Sequence, residues 1–166
     1  MTATTDIELK ELLQELEKDP TNLDVINSLA IGYFENYDQK TDKEDYDYFE
    51  KAYNLKKTIK STHNFAWFLY FEWSEIEWRW KQDNAIERAL EIQNECIGLN
   101  PKSYYPYYQF GYMLLDQKKF KEAAVIYEIA VTNPDSKNFL LDNFYLGNSI
   151  YFSNTQKDVV KVDSVA

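Results

Sequence analysis

With 166 residues, 45% of them hydrophobic, and only four glycines and four prolines, the chain holds one domain's worth of core and little room for loops. Its single cysteine excludes an internal disulfide framework, and its net charge of −10 argues against a nucleic-acid partner, whose phosphates need a basic face. No apolar run is long enough to span a membrane and Met1 to Lys10 is polar, so neither a membrane segment nor a secretory signal is expected, and the default compartment is cytoplasmic.

β-branched residues never alternate over a strand's length, which predicts an all-α protein. Met1 to Thr5 is expected to be disordered. Asp6 is the expected N-cap of a first helix to about Lys18, with Ile7, Leu12, Leu13 and Leu16 on its buried face. A second helix carries Ile26, Leu29, Ala30 and Tyr33. A third, roughly 43 to 59, has the apolar stripe Tyr46, Phe49, Ala52, Tyr53 and Ile59. The fourth runs through Phe65, Ala66 and Leu69; because Trp73, Ile76, Glu77 and Trp80 keep helical spacing, it is expected to continue before reversing near Gln82 to Asn84. A fifth holds Ile86, Ala89 and Cys96, a sixth Tyr107, Phe110, Gly111 and Leu114, and a seventh Phe120, Ala123, Tyr127 and Ala130. Asp19-Pro20, Asn100-Pro101 and Asn133-Pro134 each close a helix, since proline lacks the donor a helix interior needs and turns its predecessor away from helical torsions. The last helix, Asn138 to Phe152, carries Leu146, Gly147 and Ile150, and the tail from Ser153 to Ala166 is either a frayed capping helix or disordered.

Four of these helices share a template in which a small residue sits among large apolar ones a turn away. The small residues fall at 30, 66, 111 and 147, at intervals of 36, 45 and 36, a spacing that belongs to stacked supersecondary units. A glycine or alanine inside an apolar stripe lets a second helix backbone approach closely, so each of the four is expected to open a packed pair.

The pattern resembles the tetratricopeptide repeat. Tyr104 to Asp135 fits best: Tyr107 stands where that family has Trp, Phe110-Gly111 where it has Leu-Gly, and Leu114 where it has Tyr. Phe120, Ala123, Tyr127 and Ala130 follow in phase, while Lys118 replaces the usual turn glycine. The resemblance covers about 20 to 152. It implies a right-handed α-solenoid of stacked antiparallel helix pairs, with about three and a half repeats in one domain: residues 6–19 as an N-terminal helix, 22–60, 61–101 with an extended hairpin, 103–135, and a partial repeat over 138–166. Such a motif specifies architecture rather than function.

In that family the first helices of the pairs line a concave wall. Its ligand-facing positions match Asp24, Asn27, Ile31, Phe34 and Glu35 in the first unit and Lys60, His63, Trp67, Tyr70 and Phe71 in the second. In the third they match Tyr105, Tyr108, Tyr112, Leu115 and Asp116, and in the fourth Leu141, Phe144, Asn148, Tyr151 and Phe152. Ten of these twenty are aromatic against 17% of the whole chain, which points to a groove gripping a segment of a partner protein or, alternatively, to rings sealed inside by helix packing. The family's clamp for a chain-terminal carboxylate is not expected: of its matching positions, Asn27, Ile31, Asn64, Tyr105 and Gln109, only Asn64 agrees.

Charge marks a second candidate. Residues 1–50 carry fourteen acids against four lysines, while the remainder is balanced. Asp38, Asp42, Glu44, Asp45, Asp47 and Glu50 crowd one turn and the start of a helix, either as a solvated face or as a patch that captures a basic partner. Trp73, Trp78 and Trp80 offer a third surface, for self-association. Catalytic chemistry is thin: His63 is the lone histidine, Cys96 occupies a small buried position, and no metal-ligand cluster, phosphate loop or cofactor motif occurs. The expectation is a non-enzyme without cofactor or metal, an adaptor or chaperone with an aromatic groove. The alternative is an acidic inhibitor or immunity protein that neutralises a basic partner such as a toxin nuclease.

Overall fold

A turn that satisfies its own polar groups opens the first helix pair. The side chain of Asp19 accepts from the Thr21 backbone N–H at 3.1 Å and from its hydroxyl at 2.8 Å, and the Asn22 side chain then accepts from the N–H of Val25 at 3.2 Å. That is an N-cap. Helix α1 (Asp6–Lys18) precedes this turn and α2 (Leu23–Glu35) follows it. The structure, a computed structural model, describes residues 6–35, 44–73, 84–133 and 144–154, and every regular element among them is helical. The expectations for Met1 to Thr5, for the helix extension through Trp78 and Trp80, and for the tail beyond Asn154 lie outside the described residues.

The chain divides into two compact units, Met1–Ile92 and Gln93–Ala166. In the first, α1 and α2 pack through Leu9, Leu16, Val25, Ile26 and Leu29, joined by Ala52 of α3 (Glu44–Leu55). Ile7 is not on the buried face of α1: it is 69% exposed, and Leu9 takes that place. The reason is helical phase, since Leu9 and Leu16 stand seven residues apart on one stripe whereas Ile7 lies nearly opposite Leu9. Helix α3 buries Tyr46, Phe49, Ala52 and Tyr53 as the sequence predicts. It stops at Leu55, and Ile59, exposed, starts the next helix instead.

That helix, α4 (Ile59–Phe68), opens with a capping box. Thr58 accepts from the N–H of Ser61 at 3.1 Å, and Ser61 returns the favour to the N–H of Thr58 at 3.0 Å. Tyr46, Phe49 and Tyr53 of α3 meet Phe65 and Phe68 of α4 in ring contacts of 4.8 to 5.7 Å, which makes this pair largely aromatic. From Leu69 to Trp73 the helix widens into a π-helical turn.

Helix α5 (Ala85–Gly98) buries Ala89 and Cys96 as expected, and Gln93 as well. Asn100 then turns left-handed at φ 54°, a conformation asparagine tolerates, ahead of Pro101.

In the second unit, α6 (Tyr105–Asp116) and α7 (Phe120–Thr132) form an antiparallel hairpin. Gly111 is the close approach between them: a Cβ there would lie 2.9 Å from the ring of Tyr127. Phe110, Leu114, Ala123, Tyr127 and Ala130 are all buried at this seam. The three-residue turn requires Lys118 to adopt φ 58°, a torsion that glycine adopts more readily than a residue with a side chain. A last helix, α8, covers residues 144–154.

Candidate functional site

Helix α6 is amphipathic in an unusual sense, with an apolar buried face and an aromatic outer one. Pro106 in its first turn starts the helix at little cost, because an N–H there has no intrahelical partner. From that start, Tyr105, Tyr108 and Tyr112 step by three and four residues along one side. Tyr105 is 44% exposed and Tyr112 36%, with Tyr108 half-buried between them. The hydroxyl of Tyr105 accepts from the side-chain amide of Gln109 at 2.8 Å, which steadies the ring one turn along.

Tyr145 of α8, a residue that the sequence reading passes over, organises the neighbouring surface. Its ring stacks on Tyr127 at 5.6 Å and meets Tyr108 and Tyr112 edge-on at 5.9 and 6.3 Å. Seven residues on, Phe152 stacks on Phe120 at 5.2 Å, so Tyr145, Ser149 and Phe152 form the seam by which α8 packs. That seam was readable as a three- and four-residue step, but the family's ligand positions draw attention to Phe144, Tyr151 and Phe152 instead. Of those, Phe144 and Tyr151 are 60% and 63% exposed, while Phe152, though still exposed, belongs to the packing side. Residues 105–115 and 144–154 contain no charged side chain, in a chain that is 28% charged. The second unit thus presents a neutral aromatic surface.

The first unit treats its candidates differently. Tyr70 is buried and presents almost no surface. Phe34, Trp67 and Phe71 are half-buried and interlocked, with Phe34 edge-on to Trp67 at 5.4 Å and Trp67 against Phe71 at 5.7 Å. His63 is half-buried on α4.

The acidic residues also separate. Asp38 and Asp42 lie outside the described residues. Glu44 and Asp47 are exposed on the first turn of α3, where the helix dipole favours negative charge. Burial pushes the Asp45 carboxyl above its ordinary range; the hydrogen bond from the Tyr46 N–H at 2.7 Å opposes this, and the charges of Glu44 and Asp47 add to it. Glu50 serves an internal purpose. Arg88 of α5 donates to it at 2.7 Å and to the Tyr46 hydroxyl at 2.7 Å, the Tyr46 hydroxyl donates to Glu50 at 3.0 Å, and the guanidinium lies 5.1 Å from the Phe65 ring centre. Burial raises the Tyr46 phenol, so it stays protonated and able to donate.

Cys96 is fully buried, and desolvation pushes its thiol up to about 11, which leaves it protonated at neutral pH rather than a thiolate nucleophile. Among the described residues, no group of three or more His, Cys, Asp or Glu side chains is placed to hold a metal, and no helix is long and apolar enough to cross a membrane. No family model matches this sequence, and no curated protein matches it.

Proposed function

We propose that the chain is a non-catalytic protein-interaction module, similar to tetratricopeptide-repeat adaptors and chaperones, that binds an uncharged segment of a partner protein on the aromatic face of α6. The observation that carries this reading is the row of Tyr105, Tyr108 and Tyr112, exposed at both ends and half-buried at Tyr108, on a helix whose other face is sealed by α7. Tyrosines present large, rigid contact areas at low entropic cost, and each keeps a hydroxyl for a peptide carbonyl. A charged segment would lose hydration against this face and find no countercharge, which selects for neutral residues.

The test is selection of a random peptide library on the immobilised chain. Enriched peptides are expected to be uncharged, with apolar or aromatic anchors, and to lose binding in Tyr105→Ser/Tyr112→Ser, with circular dichroism checking that the helices survive loss of the Tyr112–Tyr145 ring contact. A second reading, capture of a basic partner by Glu44 and Asp47, is favoured by the acidic excess of residues 1–50. It would instead enrich lysine- and arginine-rich peptides whose binding falls with salt and is abolished in Glu44→Lys/Asp47→Lys.

A further inference from the structure

In a chain of net charge −10, residues 51–60 carry four lysines and no acid. Lys51 lies on α3, Lys56 and Lys57 in the turn that follows it, and Lys60 on the first turn of α4; all four are exposed. Two apolar side chains stand among them. Leu55, at the end of α3, is 41% exposed, and Ile59, at the start of α4, is 39% exposed.

The turn that presents these residues is held firmly. The Lys56 carbonyl accepts from the Thr58 N–H at 2.9 Å and from the Ser61 hydroxyl at 2.6 Å, and the Thr58 carbonyl accepts from the Thr62 hydroxyl at 2.6 Å. The Lys57 ammonium rests 4.8 Å from the centre of the Tyr53 ring. Lysines just after α3 complement the negative end of its dipole, which accounts for Lys56 and Lys57 as local structure. It accounts neither for the apolar pair beside them nor for Lys60, which sits at the positive end of α4, where a base is unfavourable. The ion pair of Lys60 with Asp24 spans 3.9 Å between side chains 52% and 92% exposed, too loose and too wet to explain its place.

We propose that this turn docks a short acidic segment of a partner protein, which sets side-chain carboxylates against the lysines and an apolar residue against Leu55 and Ile59. Charge complementarity chooses the occupant. Exposed ammonium groups on flexible stems hold no single ion firmly, so carboxylates spread along a segment fit better than one phosphate. A membrane surface or a nucleic acid is too extended: it would also meet the acids of residues 1–50, which outnumber the lysines there fourteen to four. A short segment touches the lysines alone. The surface belongs to the first unit and does not depend on the tyrosine row of α6.

Fluorescence anisotropy on the full chain tests this with a short labelled peptide of Glu, Leu and Ser, compared with the same peptide carrying Gln for Glu or Ser for Leu. The Glu-Leu peptide is expected to bind tightest and to weaken as salt rises. Lys56→Gln/Lys57→Gln and Leu55→Ser/Ile59→Ser are each expected to weaken it about tenfold or more, with circular dichroism showing the helices intact. Tyr105→Ser/Tyr112→Ser should leave it unchanged, which separates this surface from that on α6. Four results would overturn the proposal: equal binding of the Glu and Gln peptides, undiminished binding by the lysine variant, sedimentation of the chain with phosphatidylserine vesicles in place of peptide binding, or a dimer that the lysine variant dissolves, which would give the turn to the acids of a second copy.

Discussion

At Gly111 two residue-level effects oppose each other. Alanine in place of glycine inside a helix stabilises by about 1 kcal/mol through propensity. The added Cβ, however, meets the Tyr127 ring at 2.9 Å, and that ring is fully buried and stacked on Tyr145, so it cannot swing aside. Overpacking of this kind costs about 1 to 3 kcal/mol. The clash is expected to win, and Gly111→Ala should lower the midpoint of urea unfolding with the slope unchanged. Lys118 presents the reverse case. It bears a side chain at φ 58°, where a left-handed torsion costs an L-residue about 1 kcal/mol. Lys118→Gly is therefore expected to raise the midpoint, offset in part by the greater entropy of glycine in the unfolded chain. A fall would mean that the lysine side chain does more than occupy the turn.

At the scale of elements, one small network ties α5 to α3. Arg88 donates to both Glu50 and Tyr46, yet the side chains of the ion pair keep 34% and 31% exposure, so solvent screens it. Arg88→Met retains the apolar stem over Phe65 and removes the donors. A loss of about 1 kcal/mol is expected in chemical denaturation, since Glu50 keeps the Tyr46 hydroxyl as a donor and water reaches its remaining acceptor sites. Glu50→Gln keeps an acceptor and should cost less. This network also shows what the sequence concealed. Glu50 reads as one more acid in a run, and nothing in its local spacing announces a partner 38 residues away. Helix existence was legible because it rests on local periodicity: the buried stripes of α2, α3, α6 and α7 and the three proline-closed ends lie where the pattern places them. Phase errors arose where one apolar residue sat beside a better stripe, as Ile7 does beside Leu9, or where two helices met over three residues, as at Ile59.

At the scale of the whole molecule, composition is distributed unevenly, and the two units divide it. The acidic excess lies in the first, while in the second the stretches 105–115 and 144–154 gather tyrosines and phenylalanines without a charged residue. Sequence names the aromatic positions on the first helix of each pair but does not rank them by exposure, because burial depends on which helix faces which. Tyr70 is sealed, Phe34, Trp67 and Phe71 pack on one another, and Tyr105 and Tyr112 reach solvent. Tyr145 eluded the reading since its importance comes from three rings on α6 and α7, not from its own neighbours in the chain.

The affinity of one enriched uncharged peptide, measured by fluorescence anisotropy on the wild type, Tyr105→Ser/Tyr112→Ser and Glu44→Lys/Asp47→Lys, bears most directly on the α6 surface. The tyrosine variant is expected to bind at least about tenfold more weakly, consistent with the loss of aromatic anchors, with the charge variant and added salt making little difference. Equal affinity in the tyrosine variant, or a loss confined to the charge variant, would contradict it.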